Sequence, residues 1–214
     1  IVIFTNNDSA YKTAIDLHLN KISIKAIVDV RKDSKGDLVR KAKNFGLQIY
    51  FNHAVIDTKG RKKINSVIVS EFDEKFQKTI DKPKILSCDL LCVSGGWTPT
   101  VHLFSQSRGK LIFRESDATF IPHISFQEEI SIGACNGTFE LNDIFEETFI
   151  KMKKLLNKFG KKIEDKNKEG INKIFQDNMK HLWIVPSNKH FGKTKMFVDF
   201  QNDVTAKDIK LALK

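Results

Sequence analysis

Ile1-Val2-Ile3-Phe4-Thr5-Asn6-Asn7-Asp8-Ser9-Ala10 opens the chain, and how this stretch is read decides the fold. Residues 1–5 form a short apolar run of the kind shown by a parallel strand buried on both faces. A polar turn follows, in which Asp8 or Ser9 is placed to cap a helix with apolar residues at Ala10, Ala14 and Leu17. Residues 22–30 are a second β-branched run carrying Asp29 near its end. Residues 37–45 read as a second helix, closed by Gly46 just past its C-terminus, and 47–50 as a third strand. Strand–helix–strand–helix–strand predicts a parallel sheet with right-handed crossovers. An acidic residue about 20 positions beyond the first turn is where a dinucleotide-binding fold holds the ribose hydroxyls. The turn itself, residues 5–9, contains no glycine. Glycine is what lets the backbone approach a pyrophosphate, and Asp8 would set a negative charge beside one. The expectation is a retained fold whose own nucleotide site is degenerate.

Beyond residue 50 the pattern changes. Residues 54–56, 64–71 and 76–86 alternate apolar and polar, with Lys59-Gly60 as a turn signal, which predicts an antiparallel meander at the edge of the sheet. Residues 89–93 are another apolar strand, ending at Ser94-Gly95-Gly96-Trp97-Thr98-Pro99. A hairpin over 110–121 precedes a strand near 130–132, the Gly133-Ala134-Cys135-Asn136-Gly137 turn and a long amphipathic helix. The apolar face of that helix is Leu141, Ile144, Phe145, Phe149, Met152, Leu155, Leu156 and Phe159. The expected organisation is a dinucleotide-binding α/β region over 1–159, a Lys- and Glu-rich linker over 160–170, and the start of a small α+β or helical domain over 171–214. That last region reads as a helix at 171–179, strands at 182–185 and 196–199, and a helix begun by a Thr205–Asp208 capping box.

Composition narrows the function. The net charge is +10, yet 31 of the 36 basic residues are Lys and only 5 are Arg, scattered over the whole sequence. Readers of nucleic acid lean on Arg for bidentate contacts, so nucleic-acid binding is not expected. No apolar run reaches the roughly 20 residues of a membrane span, and the first residues lack the basic segment of a signal peptide. Cys88, Cys92 and Cys135 read as reduced thiols, which points to the cytoplasm. The six histidines are isolated, and no metal-ligand spacing joins them to the cysteines. Both ends look cut, so the sequence reads as an internal piece of a longer subunit.

Two loops carry the remaining signal. Gly95-Gly96-Trp97-Thr98-Pro99 follows a strand; its plain alternative is a glycine turn stopped by Pro. The Gly133–Gly137 turn lies between an expected strand and a helix, where backbone N–H groups can face a polar or anionic ligand. Its plain alternative is an ordinary helix start. No acid, base or nucleophile suited to catalysis stands out.

Four strings resemble the α subunits of heterotetrameric sarcosine oxidases. They are Phe4-Thr5-Asn6-Asn7-Asp8-Ser9-Ala10-Tyr11, Cys88-Asp89-Leu90-Leu91-Cys92-Val93-Ser94-Gly95-Gly96-Trp97-Thr98-Pro99, His102-Leu103-Phe104-Ser105-Gln106-Ser107-Arg108-Gly109 and Phe197-Val198-Asp199-Phe200-Gln201-Asn202-Asp203-Val204-Thr205. The resemblance implies a fold like the FAD/NAD disulfide oxidoreductases and a much larger subunit, with an upstream domain binding NAD and a downstream folate-binding domain. It implies β, γ and δ partner subunits, FAD and FMN in the complete enzyme, and tetrahydrofolate as co-substrate. The reaction implied is oxidative demethylation of sarcosine to glycine with hydrogen peroxide produced. In such flavoproteins a Gly-Asp-x-x-Gly loop closes over the cofactor of the first dinucleotide fold. The matching positions give Gly133, Ala134, Gly137, Phe139 and Leu141 as the expected cofactor-lining residues, with Ala134 in place of the Asp. Related oxidoreductases hold an iron–sulfur cluster through a Cys-x-Cys pair; Asp199 and Gln201 stand here instead, so no cluster is expected. A subunit of an N-methylglutamate dehydrogenase and a non-catalytic dinucleotide-binding scaffold are the two alternatives.

Overall fold

The computed structural model describes residues 1–73, 75, 78–80, 82–161, 174–186 and 195–213. Strand β1 (Val2–Thr5) leads through helix α1 (Ser9–Leu19) to β2 (Ala26–Asp29), and helix α2 (Asp37–Asn44) leads on to β3 (Ile49–Phe51). Then come β4 (His53–Gly60), β5 (Ile64–Asp73), β6 (Lys78–Thr79), β7 (Lys84–Ser87) and β8 (Leu91–Ser94). Helix α3 (His102–Gln106), hairpin strands β9 (Lys110–Arg114) and β10 (Thr119–Ile124), a 3-10 turn (Gly133–Asn136) and helix α4 (Leu141–Lys158) follow. The C-terminal part holds β11 (Phe197–Asp199), β12 (Val204–Thr205) and α5 (Ala206–Ala212). The chain divides into two compact units, Ile1–Ser94 with Leu182–Lys214, and Gly95–His181.

In the first unit the parallel sheet has the order β3-β2-β1-β8. The chain moves outward from β1 to β3, then returns to the other side of β1 as β8. The register sets Thr5 opposite both Asp29 and Ser94, so the carboxyl ends of three strands stand side by side. Doubly wound sheets take their ligands at such a reversal of strand order. This is an α/β fold of the dinucleotide-binding type.

Side-chain alternation explains the layering. Ile3 and Ile27 face α1 and α2, where they pack with Ala10, Tyr11, Ala14, Ile15, Val39 and Ala42. Val2, Ala26 and Val28 face the other way and pack on Val55, Val67, Val69 and Leu86 of the meander. The meander was expected at the edge of the sheet; it covers a face. Both helices lie on one side, and a parallel sheet with an uncovered apolar face is not stable. Four helices end in the same hydrogen-bonded C-terminal motif, with Lys21, Gly46, Arg108 and Gly160 in the left-handed region. The first motif also explains why β2 starts at Ala26 rather than Ile22: the Ile22 N–H donates to the Leu17 carbonyl, closing α1.

Three expected elements differ. Residues 130–132 form no strand; the Ser131 carbonyl accepts Lys151 Nζ and the Ile132 carbonyl accepts Cys135 Sγ, so neither joins a ladder. Residues 182–185 form no strand either, and Leu182 instead packs against Val30, Ala54 and Phe72. Of the expected linker and helix over 160–179, residues 162–173 lie outside the described ones, and 174–179 hold no helix. At the far end the capping box is present: the Thr205 N–H and hydroxyl both donate to the Asp208 carboxylate.

Candidate functional site

At the carboxyl ends of β1, β2 and β8, where a nucleotide would be sought, the structure places side chains. Asn7 Nδ2 donates to Ser94 Oγ at 3.2 Å, bridging the point between β1 and β8 where strand order reverses. Asn7 Oδ1 accepts the Ser9 N–H at 3.0 Å and the Ser9 hydroxyl at 2.6 Å. Asn7, one position before the N-cap, thereby holds the first N–H of α1. Asp8 occupies the N-cap position but makes no side-chain cap bond. Its carboxylate turns inward, 2.7 Å from Arg31 Nη1, and accepts the Ser34 hydroxyl at 3.1 Å. A Cβ on Gly36, the residue that opens α2, would collide with Asp8 Oδ2, so only glycine lets the two segments lie this close.

Asp29 lies at the same end and is wholly buried. It takes the Arg31 guanidinium in a fork, Nε to Oδ1 at 3.0 Å and Nη2 to Oδ2 at 2.7 Å, and the Arg31 N–H at 2.9 Å. The Tyr11 hydroxyl donates to Asp29 Oδ2 at 2.7 Å. Burial and the adjacent Asp29 carboxylate push the Tyr11 phenol well above its ordinary range, so it stays a donor. Burial works against the charge on Arg31, but its bonds to Asp29 and Asp8 outweigh that and hold the guanidinium firmly protonated. The acidic residue that a dinucleotide fold offers to a ribose is here bonded to Tyr11 and Arg31. Sequence reasoning found Asp8 and Asp29 but did not single out Arg31. The available signal was its spacing: Arg31 follows Asp29 by two residues at a strand end, so both side chains turn to one face.

The second unit contains the other candidate. The 3-10 turn Gly133–Asn136 opens with Gly133 at φ +71° and closes at Gly137 with φ +78°, both in the left-handed region. A carboxylate from α4, Glu147, accepts the Gly133 N–H at 3.0 Å, Asn136 Nδ2 at 2.5 Å and Lys151 Nζ at 2.6 Å. Burial raises the Glu147 pKa, but these bonds and one from Thr138 outweigh it and hold the carboxyl below its ordinary value. Arg114 of β9 donates Nη2 to the Gly137 carbonyl at 2.9 Å while binding Asp117 through both oxygens. Burial lifts the Asp117 pKa, and Arg114 more than offsets this.

Four of the five expected lining residues therefore sit in one loop and Leu141 opens α4, each with different surroundings. The Gly133 amide is held by Glu147 and the Gly137 carbonyl by Arg114, leaving Ala134 and Leu141 exposed and Phe139 half-buried. Phe139 meets Trp97 with ring centroids 6.1 Å apart. The two sequence features after residue 94 are thus joined by an aromatic contact that spacing alone did not reveal. Trp97 is 61% exposed, and Gly96 beside it, at φ +100°, is approached by Met179 Sδ. Glu147 and Arg114 were missed by the sequence reading; the i, i+4 pair of Glu147 with Lys151 was the one local clue to the former. Helix α4 carries its apolar stripe, but none of its residues is fully buried among the described ones.

Elsewhere, Asp199 accepts the Gln201 N–H at 2.8 Å and Asn202 Nδ2 at 2.6 Å, closing a turn after β11. Among the described residues no group of three or more His, Cys, Asp or Glu side chains is placed to hold a metal. No described helix is long and apolar enough to cross a membrane.

The fold defines an α/β protein of the dinucleotide-binding class. Among solved structures, the chain is similar to a thioredoxin reductase of T. acidophilum (TM-score 0.44, 14% identity, 64% of this chain and 47% of that one). It is also similar to the bacillithiol disulfide reductase Bdr of Bacillus cereus (TM-score 0.45, 14% identity, 68% and 44%). A third, L-proline dehydrogenase of P. horikoshii, has a TM-score of 0.41 at 19% identity, over 65% and 27%. No protein-family model matches the chain. By sequence it is similar to sarcosine oxidase subunit alpha: 27% identical to that of Corynebacterium sp. (strain P-1) over 98% of this chain, and 28% identical to that of Rhizobium meliloti (strain 1021) over 99%. The chain spans about a fifth of the length of these relatives, 22% and 20%.

Proposed function

We propose that this chain is part of the α subunit of a sarcosine oxidase-type flavoenzyme. The whole enzyme would oxidise sarcosine to glycine with oxygen, release hydrogen peroxide and pass the one-carbon unit to tetrahydrofolate. The observation that carries the reading is similarity to one named subunit along 98% and 99% of this sequence. In this reading NAD lies in an upstream fold of the same subunit, FAD and FMN serve the complete enzyme, and β, γ and δ subunits complete a cytoplasmic heterotetramer.

The loop with Gly133, Ala134, Gly137, Phe139 and Leu141 lines the edge of the bound NAD. Its geometry favours a particular kind of contact. With the Gly133 N–H on Glu147 and the Gly137 oxygen on Arg114, the loop offers Ala134, Phe139 and Leu141. Those side chains make van der Waals contact with a ring or ribose and have no hydrogen bond to give a phosphate.

The test uses the full-length protein with its partner subunits. Ala134 is exposed, so Ala134→Trp adds bulk to the loop without entering a core. Bound NAD should fall at least tenfold in the purified variant while the fold is kept. Unchanged NAD content would remove this loop from the cofactor site. An artificial electron acceptor reduced with N-methylglutamate, and not with sarcosine, would assign the enzyme to the other amine.

A further inference from the structure

The crevice at the ends of β1 and β2 has the parts of an anion site, together with something already in it. Two helix N-termini meet there. Asp8 is the N-cap of the 11-residue α1, and Gly36, the N-cap of the 8-residue α2, lies against Asp8 Oδ2. Helix N-termini carry partial positive charge from their first N–H groups and favour an anion. The Arg31 guanidinium is 2.7 Å from Asp8 Oδ1 with its side chain only 5% exposed, and the Ser34 hydroxyl adds a donor at 3.1 Å. A full cation and a hydroxyl thus converge on one small volume, beside Gly36 at the start of α2. The group filling it is a carboxylate of the chain itself, 1% exposed.

We propose that this crevice is an oxyanion cradle whose resident anion is the Asp8 carboxylate, and that this internal plug excludes phosphate-bearing cofactors from the fold. The inference rests on the first unit alone and goes beyond the reading of the 133–141 loop. Charge balance supports it. Arg31 meets two carboxylates, Asp8 and Asp29, so the cluster of three groups already carries one net negative charge. A phosphate entering beside Asp8 would add a dianion to a dry, negatively charged pocket at prohibitive cost. A phosphate replacing the Asp8 carboxylate would meet Arg31 and Ser34. The glycine-free turn fits the same account, since Asn6 and Asn7, both buried, fill with side chains the space that glycine backbone would leave for a pyrophosphate.

The test is chemical rescue in the full chain. Asp8→Ala empties the cradle and leaves Arg31 with one partner, so the melting temperature should fall by several degrees. Acetate or inorganic phosphate should then raise it again, well beyond chloride at equal ionic strength, because a free anion takes the vacant place. The double variant Asp8→Ala, Arg31→Met should lose that anion response. Asp8→Ser, which retains an N-cap side chain, provides a second reading should the alanine variant fold poorly. If neither single variant responds to acetate or phosphate more than to chloride, or if neither folds even with those anions present, the cradle does not exist. If phosphate stabilises the wild-type chain beyond chloride and Arg31→Met abolishes the effect, the cradle is open and Asp8 is not a plug.

Discussion

The crevice of the parallel sheet and the 133–141 loop were both candidates for a nucleotide contact, and the chain treats them in opposite ways. In the crevice Asp8, Asp29 and Arg31 are buried and paired inside the chain: Asp29 with Tyr11 and Arg31, Asp8 with Arg31 and Ser34. In the loop the charged groups, Glu147 and Arg114, sit behind the backbone and bond to it, while Ala134, Leu141 and the Trp97–Phe139 pair are presented outward. The first arrangement turns its charges on one another and stabilises the fold. The second fixes the shape of a surface and leaves its apolar side available. An acidic residue at the ribose position of a dinucleotide fold therefore does not by itself make a nucleotide site. What decides is whether its oxygens are already satisfied.

That contrast can be broken most forcefully at Arg31. Arg31→Met leaves two buried carboxylates facing each other without their cation, and removing one partner of a buried ion pair costs roughly 3–5 kcal/mol. Denaturant unfolding should report a loss of that order in the first unit. A loss below about 1 kcal/mol would mean the cluster is wetter and looser than its burial implies. Tyr11→Phe is the milder cut. It deletes one hydrogen bond to a charged acceptor while Asp29 retains Arg31, so about 2 kcal/mol is expected from the same measurement.

Much of the fold was legible in the sequence, for reasons visible residue by residue. The parallel order followed from apolar runs joined by helix-length segments. Gly46 closed α2, and the Thr205–Asp208 spacing opened α5, because both signals are local and act within one turn. What escaped depended on partners distant in sequence. Residues 130–132 have the composition of a strand but no ladder to join, and the Ser131 carbonyl is taken by Lys151. The meander was legible as strands, yet its position over a sheet face depended on both helices choosing the other face. At the candidate site the loop residues could be named from the strand–turn–helix pattern and the family resemblance. Glu147, which follows Gly133 by 14 residues, could not. Nor could Trp97 against Phe139, whose contact spans 42 positions of chain.

The finest test of the contrast is at Glu147, where a small effect on stability is expected beside a large local one. Its carboxylate bonds the Gly133 N–H, Asn136 and Lys151, so it sets the conformation of the loop. Glu147→Gln retains one acceptor oxygen, puts an NH2 where the other carboxylate oxygen stood, and removes the charge facing Lys151. The pair with Lys151 is partly solvated, and such pairs contribute at most about 1 kcal/mol, so global unfolding should move little. Hydrogen exchange at the Gly133 amide should accelerate clearly, because its acceptor is weakened. The pH dependence has a definite sign. The folded-state pKa of Glu147 lies below its ordinary value of 4.5, so the contribution is present in full above that value. It is lost as pH falls below 4.5 and through the lowered folded value, when the carboxylate gains a proton and releases Lys151. In the wild-type chain, Gly133 amide protection should therefore weaken on acidification across that window, whereas the variant, having no carboxylate to titrate, should show no such step. Protection at Gly133 that titrates identically in both proteins would mean that something other than Glu147 holds the loop, and the loop would then lose its claim to be a surface shaped from behind.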